Sequence, residues 1–294
     1  MGEKKEISWS KAKKTGKNML VTTVAVSVVK QGRQFVLKAK DRLIVALDVD
    51  SSEEALQIVR EVGDWCGLFK VGMQLHNRVG FAITEQIQAL GYPVFLDLKF
   101  HDIPNTVGKA ATVVAQKGVA MFTIHASGGQ AMMRKAVSGA RDGVWGVPDP
   151  QARPWAEPIR GNREMPVILA VTVLTSISGA VLQDEVGMDG TVQENVVRLA
   201  KLAKQAGVTG VVASPMEIAP IRSACGRGLA IVTPGVRPTW ASGDDQARVM
   251  TPREAMRIGA DYLVVGRPIT AAANRAEAAQ RIVEEMEAGL AERE

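Results

Sequence analysis

Eight short runs of apolar, often branched residues recur along the chain, at 43–48, 68–72, 95–99, 121–125, 167–174, 210–214, 229–233 and 262–266. Each is followed by residues that can start or continue a helix. Ser51, Ser52, Glu53 and Glu54 supply a cap and first-turn acids for a helix to about Trp65. Further helices are expected over 78–90, to about 117 after the third run, and to about 140 after the fourth. Others are expected over 192–205, briefly after Pro215, over 252–258 and over 277–288. Strands that are apolar on both faces are buried on both faces, which is the pattern of a parallel sheet covered by helices. Eight β/α units in a chain of this length is the count that closes a (β/α)8 TIM barrel, which takes about 250 residues. A doubly wound open α/β sheet is the alternative, but no Gly-x-Gly-x-x-Gly turn follows the first run.

Two segments break this rhythm. Residues 1–40 hold ten Lys/Arg and two Glu, a net charge of +8, whereas the remaining chain holds 26 Lys/Arg and 29 Asp/Glu, a net of −3. The basic character belongs to the extension, and the mildly acidic body is not that of a nucleic-acid-binding protein. The apolar run 19–29 within the extension is shorter than the ~20 residues needed to cross a bilayer. It is followed by no clear small-residue cleavage site, so the expectation is a flexible extension before a barrel over 41–294. The second segment, 141–165, sets Pro148, Pro150, Pro154 and Pro158 among Trp145, Trp155 and several charges. It is expected to be a surface insertion without chemistry. Cys66 and Cys225 are too few and too far apart for a disulfide framework or a zinc site, and fit a reducing cytoplasm. His76, His101 and His125 lack metal-ligand spacing. An all-carboxylate magnesium site stays open on this count.

The third run carries charge. Side chains alternate along a strand, so Asp97 and Lys99 share one face while Leu96, Leu98 and Phe100 share the other. Asp102 follows on the loop, and Pro104 suits the first turn of the next helix. Buried charges are costly unless paired. A lone Asp-x-Lys is well explained as a structural ion pair, whereas Asp-x-Lys-x-x-Asp where a strand meets its loop points to a site. Barrel sites lie at the carboxyl ends of the strands. Those ends carry Asp48, Lys70, Asp97 with Lys99, His125, Thr172 with Thr175, Arg237 and Arg267. Each has a mundane explanation alone: a cap, a solvated lysine, a helix start. Together they put two acids, two lysines and two arginines around one mouth, which favours a small anionic ligand. Arg237 and Arg267 follow the seventh and eighth runs, where such barrels hold phosphate, and an arginine fork matches phosphate oxygens. Gly266 would let backbone N–H groups approach the same anion. His125 is read as a packed core residue.

The residues from Asp97 to Thr106 resemble the signature of the orotidine 5′-phosphate decarboxylase family position by position, and the similarity extends over about 42–285. Leu47-Asp48 resembles that family's ribose-binding acid, and Phe69-Lys70-Val71-Gly72 its second-strand lysine. His125-Ala126-Ser127-Gly128-Gly129 and Val171-Thr172-Val173-Leu174-Thr175-Ser176 also match, with Thr175 at a ligand-contacting position. Thr233-Pro234-Gly235-Val236-Arg237-Pro238 resembles the mobile loop, Gln246 the glutamine that bridges base and phosphate, and Val265-Gly266-Arg267-Pro268 the phosphate site. The resemblance implies decarboxylation of orotidine 5′-phosphate to UMP and CO2 in pyrimidine synthesis, with no metal and no organic cofactor. It implies Lys99 as general acid, Asp97 beside the departing carboxylate, and Lys70 and Asp102 completing an alternating charge array. It also implies Asp48, Lys70, Asp97, Thr106, Thr175, Arg237, Gln246, Gly266 and Arg267 as substrate-binding residues. The implied assembly is a cytoplasmic homodimer in which Asp102 and Thr106 reach into the partner's site.

Two alternatives remain. Magnesium-dependent sugar-phosphate decarboxylases and synthases of the same barrel type share Asp-x-Lys-x-x-Asp, but the Ile103-Pro104-Asn105-Thr106 continuation and Gln246 argue against them. A non-catalytic nucleotide- or polyanion-binding protein, working through its basic extension, leaves the intact Lys99 array unexplained.

Overall fold

The computed structural model describes residues 29–30, 33–34, 37–146, 164–241 and 250–293. Eight parallel strands close into a barrel in sequence order. They are β1 (Leu43–Ala46), β2 (Leu68–Gly72), β3 (Val94–Phe100), β4 (Met121–His125), β5 (Val167–Val171), β6 (Gly210–Val212), β7 (Ala230–Pro234) and β8 (Tyr262–Val265). Strand β8 closes on β1, with Val264 opposite Ile44. The double-sided apolar pattern has a direct physical meaning here. On β1, Ile44 and Ala46 face the lumen with Leu68, Phe95, Leu169 and Val264. Leu43 and Val45 face outward, into a shell core shared with helix residues such as Ile58 and Val59. Alternation along each strand thus feeds two cores at once.

The helices are α1 (Ser52–Val62), α2 (Met73–Val79), α3 (Ala82–Ala89), α4 (Pro104–Gln116) and α5 (Gly129–Trp145), then α6 (Val192–Gln205), α7 (Ile218–Cys225), α8 (Pro252–Ile258), α9 (Arg267–Thr270) and α10 (Arg275–Ala291). Helix α1 starts where expected, with the Glu54 N–H donating to Ser51 Oγ at 3.2 Å. Helices α6 and α8 start on reciprocal Thr191/Glu194 and Thr251/Glu254 caps.

The single helix expected over 78–90 is instead two, α2 and α3. Gly80, at φ +65°, ends the first in a conformation that glycine adopts cheaply and other residues do not. Helix α5 runs to Trp145, so the start of the expected insertion is helical, while 147–163 lies outside the described residues. A π-helical turn, Val181–Glu185, and the short α9 were not expected.

Helices α4 and α5, which follow β3 and β4, meet backbone to backbone. A methyl at Gly139 would stand 2.0 Å from the Gly108 carbonyl oxygen, and Thr112 Oγ1 donates across to the Gly139 carbonyl at 2.9 Å. The β3–β4 corner is therefore held from outside by a close helix pair.

The packed chain begins slightly before residue 41. Leu37 packs against the lumen core and Ala39 is buried. Further upstream, Val29–Lys30 pairs antiparallel with Arg33–Gln34. At the amino-terminal end of the barrel, Arg222 pairs with Asp261 and donates to the carbonyls of Gly259 and Leu229. Such a clamp serves stability, and the opposite end of the barrel is where chemistry is expected.

Candidate active site

Strand β3 positions the charged motif by departing from regular pairing. It runs beside β4 with Leu96 opposite Phe122, and next with Phe100 opposite Ile124, so that Asp97, Leu98 and Lys99 all stand against Thr123. Lys99 takes up the excess length at φ +53°, the one non-glycine positive φ among the described residues. Such a conformation costs free energy and persists where its surroundings impose it. The surroundings here are one side chain. The Lys99 N–H donates to Thr123 Oγ1 at 2.8 Å, and the Thr123 hydroxyl donates to Asp97 Oδ1 at 2.9 Å.

A chain of alternating charge results. Lys99 Nζ lies 3.0 and 2.9 Å from the two Asp97 oxygens. Lys70 Nζ lies 2.9 Å from Asp48 Oδ1 and 3.7 Å from Asp97 Oδ2. The Lys70, Asp97 and Lys99 side chains are only 10%, 14% and 25% exposed, so their mutual pairing offsets a real desolvation cost. Gly72 makes room for it, because a methyl there would sit 2.9 Å from Lys70 Nζ and 3.2 Å from Asp48 Oδ1.

These charges form one wall of a cavity of about 340 Å³. Phe95, Val212 and Val264 supply apolar surface, and Thr175, Gly235 and Gly266 line it from the later strands. A methyl at Gly266 would meet protein no closer than Ala46 at 3.7 Å, so the space it keeps free is cavity space. A second hollow of about 320 Å³ adjoins it in sequence at the β7 and β8 ends, between Arg237, Trp240 and Arg267. Among the described residues, neither arginine has an ion-pair partner. An apolar slot with a lysine–aspartate wall, next to two free guanidinium groups, suits a planar acidic ring that carries a phosphate.

The structure brings together Asp48, Lys70, Asp97, Lys99, Thr175 and Gly266 in one cavity, and Arg237 and Arg267 in the next. Asp102 and Thr106 are exposed and stand apart. Asp102 Oδ1 accepts its neighbour Ile103's N–H at 2.6 Å and joins no ion pair among the described residues. Gln246 lies outside the described residues. Thr172 is structural, its hydroxyl donating to the Val212 carbonyl at 3.1 Å. His125 stacks 5.2 Å from His101. Burial first, and then the neighbouring His101 and the Lys99 ammonium, hold its pKa below the ordinary imidazole value. Among the described residues no three His, Cys, Asp or Glu side chains converge as metal ligands. Sequence reasoning passed over Thr123 and the role of Gly72. The signal for Thr123 was present, since it shares the lumen face of β4 with Met121 and His125.

With this geometry in place, comparison with known proteins is informative. The profile of the orotidine 5′-phosphate decarboxylase / HUMPS family matches residues 41–282. The chain is 65% identical over 259 residues to the orotidine 5′-phosphate decarboxylase of Heliobacterium modesticaldum, covering 87% of this chain and 100% of that one. It is 48% identical over 252 residues to the protein of the same name from Syntrophomonas wolfei, covering 85% and 100%. The crystal structure of orotidine 5′-phosphate decarboxylase from Lactobacillus acidophilus is similar with a TM-score of 0.70 at 37% identity, over 83% of this chain and 98% of that one.

Proposed function

The chain belongs to the orotidine 5′-phosphate decarboxylase / HUMPS family, and from that premise we propose that it converts orotidine 5′-phosphate to UMP and CO2 in pyrimidine synthesis. The observation that carries this reading is the Asp48–Lys70–Asp97–Lys99 chain of charges along an apolar cavity. In the magnesium-dependent alternative a cation would have to sit among these carboxylates. Here the Lys70 and Lys99 ammonium groups already stand against them.

The chemistry follows from charge. Breaking the bond between C6 and the carboxylate releases CO2 and leaves the electron pair on C6 of the pyrimidine. Lys99 faces that carbon, stabilises the developing charge, and then delivers a proton to it. The neutral amine regains its proton from water. Asp97 lies beside the departing carboxylate and aims the Lys99 ammonium, while Lys70 bridges Asp97 to Asp48. Asp48 and Lys70 hold the ribose, Thr175 and Gln246 the base side, and Arg237, Gly266 and Arg267 the phosphate. The phosphate contacts do no chemistry, but their binding energy can drive closure of the loop after β7. The test follows loss of orotidine 5′-phosphate absorbance with purified protein and excess EDTA. Undiminished turnover is expected; activity abolished by EDTA and restored by magnesium would favour the sugar-phosphate alternative.

The working unit in this reading is a homodimer in the cytoplasm. Its support is that Asp102 and Thr106 are exposed beside Ile103, itself 66% exposed. Each protomer's Asp102 and Thr106 complete the site of its partner, reciprocally across a two-fold axis. Free, buried thiols at Cys66 and Cys225 accord with a reducing compartment, and no described helix is long and apolar enough to cross a membrane. Mixing two inactive variants, Lys99→Ala and Asp102→Asn, under subunit exchange tests the shared site. Random pairing restores about a quarter of all sites if Asp102 acts in trans. No recovery despite proven exchange would refute it.

A further inference from the structure

We propose that Thr123 is a positioning residue for the decarboxylation, its single hydroxyl locking the Lys99 backbone and the Asp97 carboxylate into register with each other. This rests on the function proposed above. Thr123 is fully buried, at 0% exposure, on the lumen face of β4. A β-strand would ordinarily give the Lys99 N–H a carbonyl on β4. The excess residues on β3 remove that option, because three residues face Thr123 where one would stand in a regular ladder. The Thr123 side chain takes the place of the missing ladder partner. Its oxygen accepts from the Lys99 N–H at 2.8 Å and, through its own proton, donates to Asp97 Oδ1 at 2.9 Å.

A hydroxyl suits this position because it is at once an acceptor and a donor. Oriented by the backbone N–H, its proton points at Asp97. That contact fixes the rotation of the carboxylate, and with it the two oxygens that hold Lys99 Nζ at 3.0 and 2.9 Å. The left-handed turn at Lys99 sets where the side chain leaves the strand, and the same hydroxyl supports that turn. Both ends of the ammonium's path, its backbone origin and its carboxylate seat, are thereby tied to one atom. A misplacement of about 1 Å can cost about 10²-fold in rate. The arginine hollow at the β7 and β8 ends is lined by none of Asp97, Lys99 and Thr123, so phosphate binding is expected not to depend on this tie.

The experiment compares Thr123→Val, which keeps the volume and removes the hydroxyl, with Thr123→Ser, which keeps the hydroxyl and removes a methyl. Steady-state turnover of orotidine 5′-phosphate and equilibrium binding of UMP are measured on the full chain. Thr123→Val is expected to lower kcat about 10- to 100-fold, the loss that follows from removing a buried hydrogen bond to a charged group. KM and UMP affinity are expected to stay within about threefold, since the loss falls on the transition state. Thr123→Ser is expected to recover most of the lost kcat. The opposite order, with Val active and Ser impaired, would show that Thr123 matters only as volume and would overturn the proposal. So would a rise in KM with kcat unchanged. If Thr123→Val fails to fold, Thr123→Ala against Thr123→Ser isolates the hydroxyl, and equal kcat in that pair overturns the proposal. A wild-type chain without turnover sinks the functional reading and this proposal together, whereas an active wild type with an equally active Thr123→Val variant sinks only the positioning role.

Discussion

The two halves of the barrel mouth treat charge in opposite ways. On the β1–β3 side, Asp48, Lys70, Asp97 and Lys99 each have an opposite charge within 3.7 Å, and all but Asp48 have mostly buried side chains. On the β7–β8 side, Arg237 and Arg267 line a hollow with no acid against them among the described residues. Paired and buried charges are held in place before any ligand arrives, with their desolvation already offset. Unpaired guanidinium groups at a rim keep most of their hydration and gain when an anion binds. The difference teaches a division of labour. In the proposed function one half is preorganised for a reaction, and the other is left open for recognition.

Substitutions should therefore fall on different kinetic parameters, and the largest effect tests this most severely. In the proposed mechanism Lys99→Ala removes both the cation that faces the developing carbanion and the proton donor. General acid catalysis contributes about 10²–10⁴-fold and a preorganised charge about 10²–10³-fold. Turnover in single-turnover and steady-state assays is expected to fall at least about 10³-fold, while calorimetry finds UMP binding largely intact. A variant that kept near-wild-type turnover, or lost UMP binding in proportion, would erase the division.

Arg267→Ala probes the other half and carries a smaller effect. In the proposed function it removes a charge-assisted phosphate contact worth about 1.5–3 kcal/mol, so KM is expected to rise about 10- to 100-fold. Any fall in kcat measures how far loop closure depends on the phosphate. If kcat falls and KM does not move, Arg267 belongs with the reacting half.

Much of this arrangement was legible before any coordinates. The eight apolar runs specified a barrel because each strand feeds two cores, and that demand is written at every strand position. The charged positions were legible because a lysine such as Lys70 in an otherwise apolar strand needs a reason to be there. What escaped was set by tertiary fit. The excess residues on β3 depend on how β4 lies beside it, so the positive φ at Lys99 has no local signature, and the alternation that puts Thr123 on the lumen face does not show which β3 groups it holds. Gly72 looks like any strand-end glycine until Lys70 and Asp48 are seen to converge on its missing side chain. The break at Gly80 was hidden because the apolar periodicity runs on through it. The roles proposed for Asp102 and Thr106 require a partner protomer, and the chain by itself leaves both at its surface.

A third kind of charge, buried and without a cation, sharpens the comparison at the smallest scale. Glu217 follows β6, is 8% exposed, and accepts the Ser214 N–H at 2.9 Å. Among the described residues it has no ion-pair partner. Burial pushes its carboxyl from the ordinary 4.5 up to about 6, against the smaller, lowering effect of the Ser214 hydrogen bond. Because the folded pKa lies above the unfolded one, the folded state holds the proton more tightly. The stabilisation from this group is whole below pH 4.5 and is lost as the pH rises through about 6. The loss is about 1–2 kcal/mol at neutral pH. Glu217→Gln keeps an oxygen for the Ser214 N–H and cannot ionise. Thermal melts are expected to find the variant close to wild type near about pH 4.5 and about 2–5 °C more stable near about pH 8. Activity is expected to be unchanged, since Glu217 lines neither hollow. A variant less stable than wild type at the higher pH would mean that Glu217, like Asp97, has its charge compensated. The contrast between charges paired for chemistry and charges merely tolerated by the fold would then fail at this position.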